Sequence, residues 1–500
     1  MLNMAVRNTK KLIRATSQAD NIRLGRFFTK KDTASLMAGM CSLPDKPMVR
    51  VLDPGAGTGI LSAAILERLC QGGVCREINL FCYENNAAYL PMLRYNTERL
   101  RKRCRKLYGV KVVVNIIEDN FILAVKDSYT LTLFSTEPEK FDYIIMNPPS
   151  ELMAPNSPEA LSVKDLFAGT VDLTYLFVAM ASNALAPGGE LVMTLPTSFS
   201  TAPNLSALRC FLLSENTLCR LHVFSTGKPI KPIKKQMIMH LRHTPPSPTQ
   251  MVEMSVSSDD GTPAKTKTLP SLATSVVVHG QDKCILLFHD PIEMKVMQYM
   301  QSLPHTLASS GLKMKTGLTL PSRYRDFLYD TQVDGSIPLI HPCTLQGGRI
   351  HFPADIKGQY LIPPIPSLTQ PNRNMLLIRR IPPKTDEHRL VCGVYLSSQI
   401  TTAKLISTHN KLNYIAPARG EMDPPFLYGL YAFLSSSLCD IYIRLISKSE
   451  QINAKEMAEL PLPSADVLRK LGNRLITIRL YDPIFCDKAI ADVLHISVKA

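Results

Sequence analysis

The stretch VRVLDPGAGTGILSAAILERL, Val49–Leu69, decides the fold. Val49 to Leu52 form a short apolar run of the length of a buried strand. Asp53 to Gly59 make a glycine-rich turn, in which the main chain can approach a ligand closely. Ile60 to Leu69 then carry apolar residues at helical spacing. A strand, a glycine turn and a helix in this order set free main-chain amides at a helix N-terminus, open to a ligand. The Gly-Lys-Ser/Thr signature of a triphosphate-binding loop is absent, which disfavours a nucleoside triphosphate.

The same alternation continues outward. INLFCYENN reads as a second strand ending on Glu84, and LPMLRYNTERLRKRCRKLYG as a helix with a basic C-terminal half. VKVVVNIIEDNFI is a third strand ending at Asp119, and FDYIIMNPPS a fourth, ending on Asn147. VDLTYLFVAMASNALAPGGELVMTLP reads as helix, turn and strand; NLSALRCFLLSEN is a helix, and LCRLHVF and KQMIMHLR are strands. The expected fold is α/β, a doubly wound and mostly parallel sheet with helices on both faces. Such sheets bind ligands beyond the C-terminal ends of their strands, where the polar residues gather. The first domain is expected over 1–243. Pro, Ser and Thr dominate 244–275, read as a linker, and 276–500 reads as a second domain of mixed α+β type. In that half, PPFLYGLYAFLSSSLCDIYIRLI reads as one strong helix with Leu427, Leu430, Tyr431 and Leu434 on one face. At the other end of the chain, residues 1–24 read as a basic helical lead-in, and Thr29 or Asp32 as the opening of a helix whose apolar positions include Leu36, Met37 and Met40.

With 500 residues, 45% hydrophobic and 20% charged, the chain can bury cores of ordinary size. The net charge of +15 favours an anionic partner such as nucleic acid. Twelve cysteines without a CxxC pair or a Cys/His cluster read as reduced thiols, so the expectation is a cytoplasmic protein with no metal site. No secretory signal and no membrane span are expected.

NPPS, Asn147–Ser150, closes the fourth strand. Two consecutive prolines fix the backbone and remove both N–H donors. What remains are acceptors, the Asn147 side-chain oxygen and the Pro148 carbonyl. Two acceptors converging on one amino group would hold its hydrogens and raise electron density on its nitrogen. Glu84, ending the second strand, stands where a carboxylate grips the hydroxyls of a ribose.

The glycine turn, the strand-end NPP and the preceding GRFFT together resemble the S-adenosylmethionine-dependent amino-group (N6-adenine) DNA methyltransferases. The blocks LKMKTGLTLPSRYRDFL, MLLIRRIPPKTDEHRLVCGVYL and KLNYIAP resemble the recognition half of the PstI-type modification enzymes, and the likeness runs from about residue 20 to 475. It implies a Rossmann-like methyltransferase domain followed by a target-recognition domain, with duplex DNA between them. It implies a target adenine turned out of the helix, and a companion restriction endonuclease as a further partner. It places Thr29 against the methionine end of S-adenosylmethionine, Asp53, Gly55 and Gly57 along it, and Glu84 on its ribose. Asp119, with Asn120 as the alternative, would meet its adenine, with Phe121 nearby. The catalytic turn would be Asn147, Pro148, Pro149 and Ser150.

The family usually has Tyr or Phe after NPP, stacked on the flipped base; here the residue is Ser150. A second family aromatic falls at Asn204 or Leu205. Stacking contributes about 1–3 kcal/mol per base, so the loss of both rings would weaken capture by roughly 2–6 kcal/mol. Either other contacts hold the base, with Phe199 and Phe167 as candidates, or the chain is a decayed relative that binds cofactor or DNA without efficient methylation. For DNA, KPIKPIKK offers Lys231, Lys234 and Lys235, and the second half offers Arg323, Arg325, Arg379 and Arg380. RLRKRCRKLYGVK reads equally as a solvated helix end.

Overall fold

The apolar runs become neighbouring strands of one sheet. A computed structural model of the chain describes residues 1–15, 28–129, 139–167, 170–225, 236–258, 266–382, 388–447 and 451–496. These fall into two units, Met1–His289 and Asp290–Ala500.

In the first unit the strands are β1 (Met48–Asp53), β2 (Glu77–Tyr83), β3 (Lys111–Ile117), β4 (Phe141–Met146), β5 (Leu185–Pro196), β6 (Thr217–Ser225), β7 (Gln236–Arg242), β8 (Met251–Ser258) and β9 (Lys267–Ala273). Their order is β3-β2-β1-β4-β5-β7-β6-β8-β9. The run from β3 to β5 is parallel throughout, and β7 is antiparallel to both its neighbours. The chain winds outward from β1 to β3 and then returns to place β4 on the other side of β1. That reversal makes the C-terminal ends of β1 and β4 the crevice of the sheet. Ile144, Ile145 and Met146 are all buried, as expected of a strand covered on both faces. The helices are α1 (Leu2–Ala15), α2 (Lys31–Met40), α3 (Ile60–Cys70), α4 (Leu90–Tyr108), α5 (Phe121–Tyr129), α6 (Leu173–Asn183) and α7 (Ser206–Glu215). One set, α1 to α4, packs together, and a second set joins α5, α6 and α7. The expected doubly wound, mostly parallel sheet is borne out.

The linker read over 244–275 is a correction. Its Ser- and Thr-rich residues build β8 and β9, which extend the sheet. His222 of β6 shows why serines belong there: its two ring nitrogens lie 2.8 Å from the hydroxyls of Ser255 and Ser257 on β8. Burial holds that imidazole down at about 4, hence neutral. The edge strand β9 carries Pro270, which an edge tolerates and a central strand does not. The first unit therefore runs to His289, beyond the expected boundary.

Neither Thr29 nor Asp32 caps α2. Its N-cap is Lys30, without a side-chain cap bond, while Asp32 sits in the first turn, where it favours the helix dipole. Of its expected apolar positions Met37 and Met40 are buried and Leu36 is half-buried.

The second unit contains a six-stranded sheet, including Leu312–Thr316, Leu412–Pro417, Met375–Arg379 and Cys392–Tyr395, and a five-stranded sheet around Ile337–Ile340 and Leu405–Thr408. Helices at Pro291–Gln301, Pro424–Leu434, Ser437–Ile446, Ala465–Ile478 and Pro483–Leu494 complete the mixed α+β unit. The single helix expected over PPFLYGLYAFLSSSLCDIYIRLI is two helices bent by 59°. The break falls at Ser435–Ser436, where the Ser436 hydroxyl accepts from the Cys439 amide and starts the second helix. Gly429 and Gly472 let Pro424–Leu434 and Ala465–Ile478 touch backbone to backbone; a Cβ at Gly472 would lie 1.7 Å from the Pro425 carbonyl oxygen. Among the described residues no single helix is long and apolar enough to cross a membrane.

Candidate active site

Asp53 ends β1 completely buried. Its Oδ2 accepts from the Ser62 hydroxyl at 2.6 Å and the Ser62 amide at 3.1 Å. Its Oδ1 is buried with no hydrogen-bond partner among the described residues. Burial lifts its carboxyl from the ordinary 3.8 to about 7, against the pull of Ser62. A buried acceptor without a donor is costly in an empty fold and useful beside a ligand that brings one.

The glycine turn follows, with Gly57 at φ 54° and Gly59 at φ 82°, both in the left-handed region. Glu84, at the end of β2, fastens the turn: its Oε2 accepts from the Gly57 amide at 2.8 Å, and its Oε1 from the Asn86 amide at 2.7 Å. Burial raises this carboxyl too. Each oxygen retains a further lone pair for a hydroxyl donor. Phe28, of GRFFT, lies over Gly57, where a Cβ would come within 3.5 Å of its ring, and packs edge-on against Tyr89 at 5.2 Å. Thr29 follows it, half-buried.

Asp119 lies exposed beyond β3. Asn120 is occupied: its Oδ1 caps α5 through the Ile122 amide, and its Nδ2 donates to Glu159. Of the two candidates the structure leaves Asp119 the more available. Phe121 is buried in an aromatic row, 5.3 Å from Tyr83 and 5.4 Å from Phe177. Phe177, on α6, joins the two halves of the site. A Cβ at Gly55 would lie 3.7 Å from the Phe177 ring and 3.8 Å from Pro149, so the glycine turn and the NPP turn face each other.

The Asn147 side chain is held by Thr194 of β5, whose hydroxyl donates to Asn147 Oδ1. The Thr174 hydroxyl donates to the Pro149 carbonyl at 2.9 Å. The Ser150 hydroxyl donates to Asp172 Oδ2 at 2.8 Å, while Asp172 Oδ1 caps α6 through the Thr174 amide. The NPPS turn is thus stitched to the start of α6.

In sequence comparisons, residues 77–230 match the family model described as Eco57I restriction-modification methylase. Type II methyltransferase M.PstI of Providencia stuartii is 27% identical over 467 residues, 91% of this chain and 89% of its own. Type II methyltransferase M.BsuBI of Bacillus subtilis is 26% identical over 466 residues, 91% of this chain and 90% of its own. The chain is a relative of the PstI-type methyltransferases. Among solved structures, the type IIL restriction-modification enzyme MmeI in complex with DNA aligns with all of this chain and 74% of its own, at 12% identity and a TM-score of 0.46.

Within this methyltransferase relative, some sequence candidates fall elsewhere. Phe199 is a core residue, fully buried and stacked on Tyr175 at 5.9 Å, so it offers no face to a base. Leu205 is buried as well, and Phe167 is half-buried. Arg323 and Arg325 are exposed in the second unit. Arg379 points its guanidinium toward the Pro342 and Leu345 carbonyls at 3.5 Å, and Arg380 donates to Gln451. These are contacts within the chain, and the DNA contacts expected of both stay a proposal. Lys231, Lys234 and Lys235 lie outside the described residues. On α4, Glu98 pairs with Arg101 and Lys102, and Cys104 is buried, which favours the solvated-helix reading of that stretch.

Sequence reading missed Thr194, Thr174, Asp172 and Phe177. Of these only Thr194 leaves a signal, a lone hydroxyl in the apolar run ELVMTLP. It also missed the part played by α1. The Thr9 hydroxyl lies 2.7 Å from the Thr58 hydroxyl in the glycine turn, and Asn96 spans from Asn8 to the Thr58 carbonyl.

Proposed function

We propose that the chain is a site-specific DNA adenine-N6 methyltransferase of the restriction-modification type, with S-adenosylmethionine as its methyl donor. The single observation that carries the reading is the meeting of two turns: Gly55, from the glycine turn of β1, sits beside Pro149 of the NPP turn that ends β4.

The donor set fits the cofactor. Asp53 supplies in Oδ1 a buried acceptor that has no donor among the described residues, Glu84 two carboxylate oxygens at a strand end, and the glycines an approachable backbone. Thr29, Asp53, Gly55, Gly57, Glu84, Asp119 and Phe121 would hold it. When bound, S-adenosylmethionine supplies a methyl group on a sulfonium, already activated toward a nucleophilic nitrogen.

The protein's own part is placement and charge. The Asn147 Oδ1 and the Pro148 carbonyl accept the two hydrogens of the target amino group, which draws electron density onto its nitrogen and aims its lone pair. The prolines keep competing N–H donors away from that nitrogen. Holding both reactants in line supplies most of the acceleration. A flipped adenine in duplex DNA presents such an amino group, and Arg323 and Arg325 are exposed cations suited to phosphate or base contact. A companion endonuclease would recognise the same site.

A second reading has its own observation. Ser150 is tied to Asp172 and Leu205 is buried, so neither offers a ring to a base. On that reading the chain binds cofactor or DNA without efficient methylation.

The test is transfer of a labelled methyl group from S-adenosylmethionine to unmethylated duplex DNA, followed by digestion to nucleosides. Label in N6-methyldeoxyadenosine, lost in Asn147→Ala, supports the proposal. Label in N4-methyldeoxycytidine moves the target to another base, and binding without transfer favours the second reading.

A further inference from the structure

We propose that Thr194 is a positioning residue for Asn147, resting on the reading above. A primary amide at the end of a strand has two orientations of nearly equal shape, but only one turns its oxygen toward a target amino group. Something must choose between them. Asn147 is half-buried just beyond β4, and the register Met146↔Met193 continues so that Thr194 stands beside it on β5. The Thr194 hydroxyl donates to Asn147 Oδ1.

The hydroxyl is a rigid anchor. Thr194 is buried, β-branched and paired on its far side with Ile238 of β7, so both its backbone and its χ1 are constrained. Val192, Met193 and Leu195 around it are fully buried and apolar. A hydroxyl in that run is out of place for packing alone, since its hydrogen needs an acceptor. The acceptor it finds is the oxygen of Asn147, the one side-chain amide of the NPPS turn. One lone pair of Oδ1 is taken and the other is left for the substrate. Donation to Oδ1 also polarises the amide and strengthens the chain of hydrogen bonds through it.

Thr194→Val removes the donor and keeps the shape; Thr194→Ser keeps the donor. The account expects Val to lower kcat on unmethylated genomic DNA by about tenfold, the size of one neutral hydrogen bond at the upper end of its range. KM and calorimetric affinity for S-adenosylmethionine should stay within about twofold, and Ser should recover most of the rate. Val equal to wild type, Ser as impaired as Val, or a loss confined to KM would overturn it. If the wild type transfers no methyl group, the proposed function fails, and crystal structures of wild type and Thr194→Val still decide this point. A turned or disordered Asn147 amide in the Val protein supports the positioning role; an unchanged one overturns it.

Discussion

The Ser150 hydroxyl is bonded to the carboxylate of Asp172, the residue that caps α6. The position where the resemblance leads one to expect a stacking ring is here part of a seam that also includes the Thr174–Pro149 and Leu173–Glu151 bonds. The turn is held by hydrogen bonds on the side where a ring would reach outward.

Ser150 is exposed, so a ring placed there meets no packed neighbour, whereas Leu205 is buried. Ser150→Tyr should therefore lower the KM for duplex DNA, since stacking contributes about 1–3 kcal/mol and the lost surface hydrogen bond about 1 kcal/mol. Adding Leu205→Phe should cost about 1–3 kcal/mol of stability by overpacking. Steady-state kinetics and thermal denaturation read the two effects. An unchanged KM in Ser150→Tyr would remove the stacking argument.

Burial holds Asp53 near 7, and Glu84 adds to the shift. Its folded value lies above the ordinary 3.8, so the stability tied to its neutral form is present below about 4 and is lost as pH rises through about 7. A cationic amino group brought beside Oδ1 by the cofactor would reverse that preference, so that binding would expel a proton. Affinity for S-adenosylmethionine should rise with pH by at most about tenfold per unit up to 7 and level off above it. Asp53→Asn should bind weakly with a flat profile over the same range; calorimetry across pH 5 to 8, roughly the window set by this shift, checks both.

Arg209 is fully buried and donates to the carbonyls of Phe199, Ala202 and Asp282. It pins the segment after β5, which leads from Thr194 toward Leu205. Arg209→Met leaves three carbonyls without their donor and should destabilise the chain by about 2–4 kcal/mol, seen as a lowered denaturation midpoint. A midpoint within error of wild type would show that the segment is held by packing alone.

What could be read in the sequence follows from burial. β1 and β4 are covered on both faces, so their apolar runs stand out, and a polar residue at the crevice closes each: Asp53 at the end of β1 and Asn147 just beyond β4. The last two strands, β8 and the edge strand β9, are the opposite case. Their proline, serines and threonines are what an edge and a His222 partner require, and composition makes them look like a linker. The break at Ser435–Ser436 was hidden because apolar spacing continues on both sides of it. At the site, Asp53, Glu84 and Asn147 announce themselves by their strand ends. Phe177 and Asp172 come from a helix after a long loop, and only the folded chain brings them to Gly55 and Ser150.

The central claim is that Asn147 and Pro148 receive an adenine amino group. Base-resolution mapping of N6-methyladenine in the DNA of cells carrying the wild-type gene, the Asn147→Ala gene or neither tests it most directly. The account predicts one short sequence methylated with the wild type alone. A pattern identical in all three would contradict it.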